Sequence, residues 1–332
     1  MEEIMRSAAL EAEAMGYRVL NTLRNSKGKT AVQSVFEHAI YITGRGKTLV
    51  KVITDKEYIS PTSIVVDKPE LPSFKLYNMK EGTEIITNEG KLSAREVGFS
   101  INLANASTWY PPEFSKLAAD LSLEEMNLNL RVLHDVIYTC PSREGLVPLL
   151  ENIELYGPMG VFLKEQKPSV SEKARPYIER LMWGLFSADL DSMTGNAVSI
   201  LGLGPGLTPS CDDFLAGLIL SLKLGAQMLN KYETVSTGFL DDAWEKIMGA
   251  AEYKTTIYSV SFLDEAARGE GPSAIMDLIH SVMATNPDHV ANAASKLIGM
   301  GETSGADISV GIYYGLRFLI SRIELRELHE TA

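Results

Sequence analysis

The run Ile200–Gly217, ILGLGPGLTPSCDDFLAG, constrains this chain more than any other stretch. Gly202, Gly204 and Gly206 permit positive φ and close backbone approach. Pro205 and Pro209 stiffen the turn, and Pro209 has no N–H to donate. Ser210, with Asp213 three residues on, has the spacing of a capping box, Asp standing in for Glu or Gln. The pattern returns at Ile298–Gly315, IGMGETSGADISVGIYYG. Ser304, Asp307 and Gly311 repeat the spacing of Ser210, Asp213 and Gly217. Gly299 and Gly301 match Gly202 and Gly204 if the second loop is three residues shorter. This reads as a weak internal duplication, spaced too widely for a solenoid repeat.

Each run predicts a helix with a small-residue stripe: Gly217, Ser221 and Gly225 in the first, Gly311 and Gly315 in the second. Residues four apart share a helix face. A mid-helix glycine costs roughly 0.5–1 kcal/mol relative to alanine, so something is expected to come close to these stripes. The spacing predicts that the two helices cross at the glycines and that their N-termini converge. Ser210, Asp212, Asp213, Thr303, Ser304 and Asp307 would then surround one polar pocket. The plainer alternative is a pair of capped core helices with no shared site.

A chain of 332 residues exceeds the usual size of one compact core, so two domains are expected. Hydrophobic content of 45% and charged content of 22% fit a soluble globular protein. A net charge of −12 disfavours nucleic acid, whose binding relies on basic patches, and disfavours anionic membrane. The two cysteines, Cys140 and Cys211, form neither a CxxC motif nor a disulfide framework, which fits a reducing cytoplasm. The opening MEEIMRSAALEAEAMGYRVL has no basic region followed by an apolar core, so no signal peptide is expected. The most apolar segment, Phe214–Leu229, is interrupted by Lys223 and is too short to span a bilayer.

The fold class expected is α+β: a β-rich domain over 1–110, sheet or barrel-like and opened by a helix, then a mostly helical domain over 111–332. Residues 5–22 have helical periodicity. AVQSVFEHAIYI and TLVKVIT flank Gly44-Arg45-Gly46, a hairpin signal, and SIVVD, TEIIT and VGFSINL follow as further strands. The Lys80–Gly82 turn and Asn88-Glu89-Gly90 fit tight connections. Trp109-Tyr110-Pro111-Pro112 marks the boundary, because a Pro-Pro pair suits neither helix nor central strand. Helices are expected at about 113–139, 143–152, 170–190, 272–284 and 287–298, besides the two that follow the glycine loops. Pro272 and Pro287 are first-turn prolines.

Other side chains carry less. His38, on a predicted strand, has no ligand-spaced partner and reads as structural or exposed. Arg45 and Lys47 read as solvated. His134 and Asp135 are adjacent on a helix and do not face each other. A strand at Ala197–Leu201 ahead of Gly202-Leu-Gly204 suggests dinucleotide binding, but the third glycine of that fingerprint is Leu207 here. The Gly-Lys-Ser/Thr of a P-loop is missing. Cys211 sits where a helix start favours thiolate, but the neighbouring aspartates oppose it.

The aspartates pose a problem. A helix N-terminus favours anions, yet Asp213 and Asp307 already occupy that field, and three carboxylates repel a bare phosphate. Either Mg²⁺ bridges carboxylate and phosphate oxygens, or loop N–H groups hold an anionic oxygen while the carboxylates accept hydrogen bonds from a ligand N–H₂. The residues leave both open.

GLGPGLTPSCDDFLAG, Thr255-Thr256, AARGE at Ala266–Glu270 and TSGAD at Thr303–Asp307 together resemble the AllH-type subunit family of oxamate carbamoyltransferase. QSVFEHAI at Gln33–Ile40 resembles that family's first strand region. The chain departs from the family at Cys211, where glycine is usual, and at Ile257-Tyr258, where a basic residue is common after the threonine pair. The resemblance implies carbamoyl exchange between oxalurate and phosphate, giving oxamate and carbamoyl phosphate, in the anaerobic breakdown of allantoin-derived ureides. It also implies a complex with two dissimilar partner subunits.

The expected ligand is thus a small carboxamide or phosphorylated metabolite. Gly204 and Gly206 would present backbone N–H groups to its anionic part, and Thr208, Ser210, Thr303 and Ser304 would hydrogen-bond it. Asp212, Asp213 and Asp307 would orient an amide nitrogen, hold Mg²⁺ or act as general base. The competing readings are a non-catalytic assembly or regulatory subunit and a stand-alone metal-dependent hydrolase.

Overall fold

The computed structural model describes residues 8–24, 30–44, 48–67, 73–88, 90–117, 120–141, 144–151, 169–229 and 240–330. Arg45 and Lys47 lie outside them. The chain gathers into two compact units, Met1–Pro112 with Glu270–Ser273, and Glu113–Gly269 with Ala274–Ala332.

The first unit is a mixed, curled sheet. Its strands are β1 (Ala8–Gly16), β2 (Val32–Val35), β3 (Ala39–Thr43), β4 (Leu49–Ile53), β5 (Ser63–Val66), β6 (Ile86–Asn88), β7 (Lys91–Ala94), β8 (Phe99–Asn102) and β9 (Ser107–Trp109), with a short helix α1 (Val19–Arg24) after β1. The order is β2-β3-β4-β5-β1-β8-β7-β6, and β9 pairs with β1. The 82–85 stretch leading into β6 bonds back to Thr30 and Val32, which brings the two ends of this path together and gives a half-barrel. Alternation fills its inside: Ile40 and Ile42 of β3, Val50 and Val52 of β4, and Phe99 and Ile101 of β8 are buried. Full burial of each such side chain contributes about 1.5–3 kcal/mol.

Two local expectations need correction. The helix expected over residues 5–22 is a strand at Ala8–Gly16, and the helix that does form is α1. Alanine and glutamate favour helix locally, but this segment lies between β5 and β8, where Leu10 and Ala12 face the core. The strand expected across AVQSVFEHAIYI is two strands, and His38 lies in the bend between them, exposed beside Glu37 at 3.7 Å. The hairpin between β3 and β4 forms as expected.

The second unit is helical. It contains α2 (Leu123–Tyr138), α3 (Val170–Ser187), α4 (Leu190–Ile200), α5 (Ser210–Met228), α6 (Asp241–Lys254), α7 (Ile257–Ala267), α8 (Ser273–Ala284, its first residue grouped with the sheet), α9 (Pro287–Ile298) and α10 (Ser304–Glu330). Capping boxes start α2 at Ser122 with Glu125 and α3 at Ser169 with Glu172, satisfying N–H groups that helix ends otherwise leave unpaired. The helices expected at about 113–139 and 143–152 shrink to α2 and to a 3-10 turn at Val147–Leu150. Ala197–Ile200, read as a strand in the dinucleotide hypothesis, ends α4, so no strand leads into the glycine loop.

α5 is buried along nearly its whole length, and α10 crosses it at the glycines. A Cβ on Gly217 would overlap the Ile308 carbonyl oxygen, and one on Gly311 would overlap that of Phe214. A Cβ on Gly315 would overlap Ser221 Oγ, and one on Gly225 would press on Leu319. Only glycine lets the two backbones approach so closely.

Candidate functional site

The first loop runs from α4 to α5 through three glycines at positive φ: Gly202 (76°), Gly204 (132°) and Gly206 (92°). A Cβ at Gly204 would overlap the Ser210 N atom, whereas Gly206 is exposed with open space around it. Ser210 is the first residue of α5 and follows Pro209 at the cap position, and no side chain caps this end. The capping box expected from Ser210 and Asp213 does not form, because Ser210 already lies inside the helix. Pro209 takes the cap position instead, and its carbonyl accepts the Asp212 and Asp213 N–H groups at 2.8 and 3.1 Å.

The two aspartates of α5 face different surroundings. Asp212 turns back to the loop, where Oδ1 accepts the Gly202 N–H at 2.9 Å and Oδ2 accepts the Thr255 hydroxyl. Asp213 lies with Asp307, Thr208 and Ser304, close enough for their charges and hydroxyls to shift its acidity. Thr208 Oγ1 and Ser304 Oγ, one from each loop, are 3.1 Å apart. Asp307 Oδ1 accepts the Leu146 N–H at 2.6 Å. Ser210 and Thr303 act on the same carboxyl from close by.

These groups are sealed from water: Asp213 is 1% exposed and Asp307 fully buried. Burial of a carboxylate favours its protonated form. It drives the Asp213 pKa well above the ordinary value, against the lowering effect of Ser304 and Thr208, and Asp307 adds to the rise. It lifts Asp307 to about 6, opposed by the Leu146 N–H and by Ser210 and Thr303. Asp212 is raised for the same reason, opposed by Gly202, Thr255 and Ser259. No lysine or arginine of the described residues acts on Asp213 or Asp307. Three buried polar atoms are left without a well-aligned partner at this corner: Ser210 Oγ, Asp213 Oδ2 and Asp307 Oδ2. Such atoms are rare in folded proteins, and each calls for an explanation.

Of the residues expected around one polar pocket, Ser210, Asp213, Thr303, Ser304 and Asp307 lie in a closed cluster together with Thr208, while Asp212 turns to Gly202 and Thr255. Gly206 and Leu207 are exposed, and Thr208, Thr303 and Ser304 are half-buried. The cavity of about 270 Å³ lined by Leu149, Arg175, Met182, Trp183 and Tyr314 includes none of the predicted site residues. Among the described residues no three acidic, histidine or cysteine side chains group to hold a metal ion, so Asp212, Asp213 and Asp307 do not form such a cage. Cys211 is buried, and burial together with Asp212 and Asp307 pushes its thiol pKa far up. His134 stacks on Tyr138 and, against the expectation that adjacent helix positions do not face each other, its ring contacts Asp135 at 3.1 Å.

Sequence reasoning missed Gly145 and Leu146. A Cβ on Gly145 would collide with the Asp307 carboxyl, so this glycine lets the Leu146 N–H reach it. Nothing in spacing links residues 161 positions apart. Thr255 and Thr256 also gain places: Thr255 bonds Asp212, and Thr256 caps α7 while donating to the Leu207 carbonyl. The start of α7 thus ties both ends of the glycine loop.

Two family models match the chain. One, described as oxamate carbamoyltransferase subunit AllH, matches residues 200–316, a span that includes both glycine loops, α5 and the start of α10. The other, the AllH family N-terminal domain, matches residues 9–108, the curled sheet. No solved structure matches. None of the helices in the described residues is long and apolar enough to cross a membrane. Since the two matches together take in about two thirds of the sequence and correspond to its sheet and to its central helices, the chain belongs to the AllH family of oxamate carbamoyltransferase subunits.

Proposed function

We propose that this chain is a working subunit of a carbamoyltransferase, and that the facing starts of α5 and α10 bind the amide or ureido end of its substrate. The observation that carries this reading is the set of buried atoms left without a well-aligned partner, Ser210 Oγ, Asp213 Oδ2 and Asp307 Oδ2. The Asp307 oxygen and the Ser210 hydroxyl suit the N–H donors of a ureido or carboxamide group, and the Asp213 carboxyl suits the nitrogen that gains a proton. The exposed backbone around Gly206 would receive the anionic end.

The reaction proposed is phosphate attack on the ureido carbonyl of oxalurate. A C–O bond to phosphate forms, the bond from that carbon to the amide nitrogen breaks, and oxamate leaves with one more proton on nitrogen. Asp213, whose proton affinity burial raises, is suited to supply that proton as general acid and to remove it in the reverse direction. Asp307 and Ser210 would accept from and orient the N–H₂ group, and Thr208, Thr303 and Ser304 would line the approach. Since no described lysine or arginine acts on this corner, the phosphate charge would be met by a partner subunit, which the name of the family implies.

A second reading has its own support. Asp307 is wholly buried and holds the Leu146 N–H, as a carboxyl that only anchors a loop would. In that reading the chain assembles or regulates a partner enzyme. Asp213→Asn separates the two: it keeps the shape and removes the acid. Carbamoyl phosphate formed from oxalurate and phosphate is measured per assembled complex, with assembly followed by gel filtration. Turnover collapses at unchanged assembly if Asp213 is the acid and persists if it is an anchor.

A further inference from the structure

The outward face of the sheet in the first unit carries a second arrangement, unconnected with the aspartates. Register places Ala9, Ser100, Ser93 and Ile86 in one row across β1, β8, β7 and β6. The adjoining row is Glu11, Asn102, Lys91 and Asn88. Strand parity explains why this face is polar, since Leu10, Ile101, Leu92 and Ala94 point the other way into the core. Three residues of the first row are small, and longer side chains rise beside them, with Arg95, in the turn that follows β7, also on the groove. Together these residues line a groove of about 500 Å³.

The charges in this groove are unbalanced. Among the described residues that line it, the one carboxylate, Glu11, is held by the Asn102 side-chain amide at 2.9 and 3.2 Å. Lys91 and Arg95 are exposed, and among the described residues neither forms an ion pair. On a chain of net charge −12, two cations flanking a floor of serine hydroxyls make a local field of the opposite sign. Cationic clefts of this kind concentrate anions, and guanidinium and hydroxyl donors match carboxylate and phosphate oxygens.

We propose that this groove binds a small dianionic metabolite bearing phosphate or carboxylate groups, with Lys91 and Arg95 on the anionic ends and Ser93 and Ser100 beneath. The proposal is independent of the aspartate corner. The test is calorimetric titration of the full chain at low ionic strength with inorganic phosphate and, separately, with succinate. Saturable binding of at least one of these anions is expected, at least tenfold weaker in Lys91→Ala/Arg95→Ala and weakened by salt. It is expected unchanged in Lys75→Ala/Lys80→Ala, an exposed pair outside the groove. If phosphate alone binds, the groove is a phosphate site; if succinate alone, a dicarboxylate site. No saturable heat with either anion, or equal loss in both lysine-containing pairs, would overturn the proposal.

Discussion

Thr208 and Ser304 stand 96 residues apart in the chain, and their hydroxyl oxygens lie 3.1 Å from one another. Each belongs to a glycine-containing loop that feeds a central helix, and the two helices pass each other at glycines. The hydroxyl pair and the buried carboxyls of Asp213 and Asp307 are consequences of that one crossing.

The crossing itself is testable by adding single methyl groups. Gly217→Ala and Gly311→Ala each drive a Cβ into a backbone carbonyl oxygen of the other helix, which cannot yield without moving the helix. Each is expected to lower unfolding free energy by at least about 1–3 kcal/mol, as overpacking does. Gly249→Ala in α6 meets nothing within 4 Å and should stabilise by roughly 0.5–1 kcal/mol through helix propensity. Urea unfolding followed by circular dichroism reads all three.

Asp307 gives the stability a pH dependence. Its carboxyl pKa is about 6 in the fold against an ordinary value of 3.8, so between these values the folded chain keeps a proton that the unfolded chain has released. The contribution of this group therefore favours folding at low pH and is lost as pH rises from about 4 to 6, by a total on the order of 3 kcal/mol. Asp213, also raised by burial, contributes in the same direction. Asp307→Asn retains an acceptor for the Leu146 N–H and removes the titration. The stability difference between variant and parent should grow in the variant's favour across that window in urea midpoints taken at several pH values.

The threonine pair shapes the loop through Asp212. Thr255→Val removes the hydroxyl donated to Asp212 Oδ2 and leaves a buried carboxylate oxygen short of a partner, a loss of about 1–3 kcal/mol. Thr255→Ser keeps the donor and should recover most of it in thermal melts.

Cys211 is expected to be dispensable for chemistry. Its thiol is buried and its pKa far above the ordinary value, so almost no thiolate forms at neutral pH. Cys211→Ala should turn over at the parent rate, and iodoacetamide should not modify Cys211 in the folded chain, as read by mass spectrometry.

Much of this was legible in the sequence, and the rest was hidden for physical reasons. The sheet announced itself through alternation in Ala39–Thr43 and Leu49–Ile53 and through the turn between them. The crossing was written in Gly217 and Gly311, because mid-helix glycine has a cost that only close approach offsets. β1 was hidden, since Ala8–Gly16 has helix-forming residues and becomes a strand only because β5 and β8 flank it. The bend at His38 contains neither glycine nor proline, so β2 and β3 read as one strand. The Ser210 spacing suggested a cap, but the helix starts one residue earlier than a cap there requires. The surroundings of Asp212 depend on the Thr255 hydroxyl and those of Asp307 on the Leu146 N–H, and donors from distant segments leave no pattern to find.

The central claim is that Asp213 and Asp307 serve one bound substrate. Its most direct test is a double-mutant cycle on kcat/KM for carbamoyl phosphate formation by the assembled enzyme, using Asp213→Asn, Asp307→Asn and the pair. Groups acting as a unit are strongly non-additive. Each single variant is expected to lose roughly 100-fold or more, and the double variant to fall little below the worse single. Single variants near the parent rate, or losses that simply multiply, would contradict the account.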